Sequence, residues 1–96
     1  MTKAELIEGI MSKLELRKKD VAPVVDEVFA QIQGALSKGD KCTFVGFGVF
    51  EVRRRSEREG RNPQDPTKKV LIPAKNVPVF RPGKDLKDAV VDVELH

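Results

Sequence analysis

The 96-residue chain has no Trp and no Tyr, and it carries a single Cys (Cys42) and a single His (His96). One Cys cannot close an internal disulfide, and one Cys with one His cannot build a multi-ligand Cys/His metal centre. His96 is terminal and alone, so it is not assigned a catalytic role. No recognisable nucleophile–base pair or metal cluster supports a hydrolase or transferase. Long apolar runs are missing too: none approaches the roughly 18 residues a membrane helix needs. Met1–Lys3 leads straight into Ala4–Glu5–Leu6 without a signal-peptide layout. The expectation is a soluble, cytoplasmic, single-domain protein that is not an enzyme and has no cofactor and no metal.

What the chain does have is segregated charge. Between Arg53 and Lys75 lie eight basic residues against three acids, a surplus of five in a chain whose net charge is +3. The remainder is therefore slightly acidic, and one basic segment projects from a near-neutral body. Such segregation points to a polyanionic partner.

Hydrophobic periodicity divides the body. Thr2 and Glu5 have the spacing of a capping box, and Leu6, Ile7, Ile10, Met11 and Leu14 follow at three- and four-residue intervals. A second helical stripe runs through Val21, Val24, Val25, Val28, Phe29, Ile32, Ala35 and Leu36. With Asp20 as its N-cap, Pro23 falls in the first turn, where proline's missing N–H is not needed. Arg17–Lys18–Lys19 then links the two helices, and Gly39 ends the second. The period changes to two at Cys42–Thr43–Phe44–Val45, and Gly46–Phe47–Gly48 turns the chain back through Val49–Arg53. Val70–Leu71–Ile72 and Val77–Pro78–Val79–Phe80 are further strand signals. A short C-terminal helix begins near Lys84 and carries Leu86, Ala89 and Val90, with Val93 closing the pattern. The fold class is α+β.

The segment from Arg53 to Lys69 is almost free of apolar residues and holds Gly60, Pro63 and Pro66. It cannot bury itself, so it projects as a two-stranded ribbon or stays disordered. Arg53 and Arg55 share one face of a strand, while Arg54 points the other way. The basic surplus favours phosphate contact over a charged edge that merely resists aggregation. Pro63 is rigid, compact and without a donor; it suits either an ordinary turn or a wedge between base steps. Phe47, Phe50 and Phe80 sit at apolar strand positions away from the basic run, which favours core packing over base stacking. Cys42 reads as a small core residue. Without residues 53–75 only 73 residues remain, a body marginal for a monomer and suited to a symmetric dimer.

Four blocks stand in order along the chain: Val45-Gly-Phe-Gly-Val-Phe-Glu-Val-Arg53, Gly60-Arg-Asn-Pro-Gln64, Ile72-Pro-Ala-Lys75 and Phe80-Arg-Pro-Gly-Lys84, the last followed by Leu86-Lys87. Together they strongly resemble the HU and integration host factor family of bacterial histone-like DNA-binding proteins, over the span from Thr2 to about Val90. The resemblance implies an intertwined dimer with a helical base, a β-saddle and two β-ribbon arms. It divides this single domain into a helical hairpin (1–39), a saddle (40–52 and 76–83), an arm (53–75) and a C-terminal helix (84–93). It further implies that Pro63 wedges between base pairs, with Arg61, Asn62 and Gln64 beside it at the tip. By the same resemblance Arg53, Arg55, Arg58, Lys68, Lys69 and Lys75 line the arm legs and Lys84 and Lys87 lie near the last helix. Phe47, Phe50 and Phe80 form the dimer core, and Lys3 pairs with Asp26.

Two departures stand out. The family commonly turns its arm tip with Thr-Gly soon after Asn-Pro-Gln or Asn-Pro-Lys. Here Asp65–Pro66–Thr67 follows Gln64, and the interval to Ile72–Pro73 is one residue longer. Arg17 stands where the family tends to have a capping Ser or Thr. The function so implied is a nucleoid-associated architectural protein that binds double-stranded DNA in the minor groove with low sequence specificity and bends it, preferring bent, nicked or junction DNA. It would act as a homodimer or heterodimer in the bacterial nucleoid, with no membrane partner. A site-specific integration-host-factor-like protein and a β-ribbon protein-docking module are the alternatives.

Overall fold

The computed structural model describes residues 1–95, so His96 lies outside the described residues. In chain order the elements are α1 (Lys3–Leu14), α2 (Lys18–Ser37), β1 (Cys42–Phe44), β2 (Gly48–Arg55), β3 (Arg58–Asn62), β4 (Asp65–Ile72), β5 (Lys75–Pro82) and α3 (Lys84–Val90).

Thr2 caps α1: its Oγ1 accepts from the Glu5 N–H at 3.2 Å and the hydroxyl donates to the Glu5 carboxylate at 3.3 Å. The helix stops at Glu15, which takes the left-handed conformation with φ 54°. The expected start of α2 is corrected. Its N-cap is Arg17, not Asp20, and Lys18 and Lys19 are its first turn rather than a linker. The cause is burial. Val21 and Val25 lie one helical turn apart and, with Ile7, are the buried residues of the core. Val21 reaches that position only if the turn before it is already helical, and the Arg17 carbonyl accepts from both Asp20 and Val21 at 3.0 Å. Pro23 consequently stands inside the helix, where the Lys19 carbonyl loses its usual donor. Lys3 of α1 meets Asp26 of α2 at 2.7 Å, as expected.

β1, β2 and β5 form an antiparallel sheet in the order β1-β2-β5, and β3 and β4 form a separate two-stranded ribbon. Val45 does not continue the strand alternation. It occupies the turn closed by the Phe47 N–H on the Phe44 carbonyl, and it is 98% exposed. Gly46 follows it with φ 85°, the left-handed position such a turn requires. Gly48 is buried beneath Phe80; a Cβ there would stand 2.6 Å from the Phe80 ring. The last helix is shorter than the expected 84–93, ending at Val90. Its Gly83 N-cap makes no side-chain bond, it buries no residue, and the β-branched run Val90–Val91–Val93 propagates a helix poorly.

The chain does not close on itself. Its radius of gyration is 19.0 Å and its longest axis 59 Å, against about 12.5 Å expected for a compact domain of this length. Phe29 and Phe47 remain 49% and 52% exposed. An open apolar groove of about 710 Å³ separates α2 from the sheet, lined by Phe29, Ile32, Leu36, Phe50, Val52 and Pro78. Cys42 is half-buried opposite Phe50 at the edge of this layer.

Candidate nucleic-acid interface

Register decides which side chains share a face. β2 and β5 pair without a break from Gly48–Pro82 to Arg55–Lys75, crossing the expected saddle–arm boundary at 52/53. Phe50/Phe80, Val52/Pro78 and Arg54/Asn76 therefore point to the α2 side. Val49/Arg81, Glu51/Val79, Arg53/Val77 and Arg55/Lys75 point to the opposite, helix-free side. The separation of Arg54 from Arg53 and Arg55 is as the alternation requires. Arg55 and Lys75 are direct cross-strand partners, a like-charge pairing that costs rather than stabilises.

One acid serves this face. The Glu51 side chain is 13% exposed and its Oε1 lies 2.8 Å from Arg53 Nη2 and 3.0 Å from Arg81 Nε. Burial pushes its pKa up, but the Arg53 hydrogen bond and the charges of Arg81, Arg53 and Lys41 outweigh it, leaving the carboxyl below its ordinary value. Glu51 thus stays ionised and holds two guanidinium groups side by side. Arg81 is not among the residues singled out from the sequence. The period-two alternation through Val79 and Arg81 was the available signal, but only the pairing of β5 with β2 shows that they face the same way as Arg53.

The ribbon continues the pattern. In β3–β4, Arg61 stands directly opposite Lys69, and Glu59 reaches Lys69 at only 3.7 Å with both side chains largely exposed. Arg58 pairs with Ile72 on the other face, beside Gly60, over which the Ile72 side chain lies. Asn62 pairs with Asp65, leaving Pro63 and Gln64 as a two-residue turn at the tip. The Gln64 N–H donates to Asn62 Oδ1 at 2.9 Å, which turns Asn62 inward and leaves Pro63 exposed. Lys68 is exposed on the three-residue excess of β4 that follows Asp65.

Lys84 opens α3 and Lys87 stands in its last turn, three residues on and on the same side of the helix. The Gly83 N–H donates to the Phe47 carbonyl at 2.8 Å, which fixes this helix start against the β1–β2 turn, at the far end of the sheet from the ribbon. The phenylalanines come together within the one protomer. Phe50 and Phe80 ring centroids are 4.6 Å apart, Phe47 and Phe80 5.6 Å, and Phe44 and Phe50 6.2 Å edge-on. Among the described residues no group of three or more His, Cys, Asp or Glu is placed to hold a metal ion, and no helix is long and apolar enough to cross a membrane.

Comparison with known proteins agrees with this geometry. The family model described as "Bacterial DNA-binding protein" matches residues 1–91. The chain is 53% identical to DNA-binding protein HU-1 of Halalkalibacterium halodurans over 90 residues, which cover 94% of this chain and 99% of that protein. It is 54% identical to DNA-binding protein HU 1 of Bacillus subtilis, again over 94% of this chain and 97% of the relative. Among solved structures, HU from Anabaena in a cocrystal with DNA superimposes with a TM-score of 0.86 at 42% identity, covering 97% of this chain and all of that one. HU from Thermotoga maritima superimposes with a TM-score of 0.67 at 37% identity, over 94% and 98% of the two chains.

Proposed function

The chain belongs to the bacterial DNA-binding protein family, and we propose from that premise that two copies of it grip and bend duplex DNA as an architectural component of the bacterial nucleoid. The carrying observation is the cross-strand register. It collects Arg53, Arg55, Lys75 and Arg81 on the one sheet face that no helix covers, with Glu51 as the only acid among them. The Anabaena relative, alike over 97% of this chain, was crystallised with DNA.

Two protomers are needed because one leaves Phe29, Phe47 and the apolar groove beside α2 open. Seating a second copy there buries the aromatic row and sets the two basic faces side by side, with a ribbon projecting on each flank. Phosphates laid along the face neutralise the Arg55/Lys75 and Arg61/Lys69 repulsions, and counterion release supplies most of the affinity. Arg58, Lys68, Lys84 and Lys87 extend the contact at its two ends. At the tip, Pro63 enters between base steps with Arg61, Asn62 and Gln64 against the groove walls, and the unstacked step retains the bend. Minor-groove contact with phosphates and sugars carries little sequence information, so specificity is low. Nicked, bent or junction DNA, in which stacking is already interrupted, binds more tightly. No step is catalytic.

An electrophoretic series on linear, nicked and four-way-junction DNA of one composition tests this reading. The expected order places nicked and junction DNA above linear duplex, with steep loss of all three as salt rises. Equal affinity for all three at every salt level contradicts it.

A further inference from the structure

The arm tip repeats one small device. In Asn62–Pro63–Gln64 the N–H after the proline donates to the preceding Asn62 Oδ1 at 2.9 Å. In Asp65–Pro66–Thr67 the N–H after the proline donates to the preceding Asp65 Oδ1 at 3.2 Å, and the Thr67 hydroxyl donates to the same oxygen at 2.6 Å. Both acceptor-bearing residues are half-buried, and both prolines are exposed.

The second proline also lies outside the ladder. Arg61 pairs with Lys69 and its neighbour Asn62 with Asp65, so residues 66–68 have no partners on β3. Proline cannot donate to a ladder and is tolerated at such a bulge. Composition limits the choice further: between Arg61 and Lys69 the only apolar side chains are Pro63 and Pro66. Side chains that unstack base steps are apolar and compact.

We propose that Pro66 is a second wedge residue, so that each arm presents two prolines to the duplex, one within the two-residue turn and one just after it on β4. This rests on the reading that the arm tip unstacks DNA, and extends it to the proline of Asp65–Pro66–Thr67, where this chain departs from the family pattern. The Asp65 charge is compatible with that position because its carboxylate is turned back onto Thr67 and is occupied there. Two wedges give the tip two ways to hold a kink, and loss of either leaves the other in place.

The test is energy transfer between dyes at the two ends of a short duplex, saturated with the native protein, Pro63→Ala, Pro66→Ala or the double variant. Alanine leaves every Arg and Lys in place, so the salt dependence of binding should match the native protein and certify a folded, charged arm. The expected result is that each single variant keeps a measurable share of the native bend and the double variant loses it. A Pro66→Ala protein that bends like the native, beside a Pro63→Ala protein that does not bend at all, overturns the proposal and leaves Pro63 as sole wedge. Full bending by the double variant overturns tip wedging itself, and this proposal with it.

Discussion

Arg55 of β2 stands directly opposite Lys75 of β5, two cations in one cross-strand pair at the outer end of the sheet. A like-charge pair directly opposed across strands costs roughly 0.2–1 kcal/mol relative to a neutral one. The same juxtaposition recurs at Arg61 and Lys69 in the ribbon. Charges kept where they weaken the free protein make sense if a polyanion compensates them in the complex.

Arg55→Ala should therefore leave stability unchanged or raise it by up to about 1 kcal/mol, in urea or thermal unfolding. The same variant should bind DNA more weakly, and the slope of log affinity against log salt should become shallower by about one unit. Arg58→Ala should shallow the slope similarly. A loss of stability in Arg55→Ala would assign the residue to the fold instead of to the DNA.

Glu51 makes a different prediction because it holds Arg53 and Arg81. Its pKa is lowered in the folded state, so the stability it contributes is complete above the ordinary carboxyl value and is lost as pH falls through the lowered one. Denaturation of the native protein and Glu51→Gln across acid pH should show a gap at neutrality that closes in strong acid. Arg81→Ala should shallow the DNA salt slope by about one unit, as expected of a phosphate contact rather than a structural partner alone.

Removal of the Phe80 ring tests the dimer. In one protomer Phe80 contacts Phe50 and Phe47 while remaining over a third exposed. If a second copy completes its burial, Phe80→Ala should cost about 3–5 kcal/mol. Sedimentation at micromolar concentration should give a dimer for the native protein and a concentration-dependent unfolding midpoint. A folded native monomer under those conditions contradicts the two-copy account.

Pro23 stands in the body of α2 rather than in its first turn. Pro23→Ala should stabilise the protein by about 1–3 kcal/mol, since it restores a helix bond and removes a clash, less the entropy that proline withholds from the unfolded chain. Chemical denaturation reads the difference directly. A destabilised variant would show that the local backbone depends on proline's fixed φ.

The elements most legible in the sequence were those whose periodicity is strong and local. The stripe from Leu6 to Leu14, the return through Val49–Arg53 and the apolar-poor ribbon appear where spacing places them, while Val45 leaves the alternation for the turn. Their ends were less legible, because tertiary burial outweighs capping preference. Val21 pulls the start of α2 back to Lys18 against the better cap at Asp20, and α3, which buries no residue, ends at Val90. Within the site, alternation along one strand separated Arg54 from Arg53 and Arg55. Arg81 could not be placed the same way, since its facing depends on a register with a strand some thirty residues away. The pairing of Asp65 with Thr67 at the tip is hidden for a related reason: a short polar segment has no apolar period to read.

Binding is expected to bend the duplex, and the distance between the ends of a short DNA duplex as protein is added reads that bend. With dyes at the two ends, energy transfer should rise with saturation of the protein and fall back when salt is raised, in step with an affinity loss of about 10³–10⁵-fold between roughly 50 and 200 mM if some 6–10 phosphates are neutralised. Saturated binding with the ends of the duplex no closer than in free DNA would contradict the account.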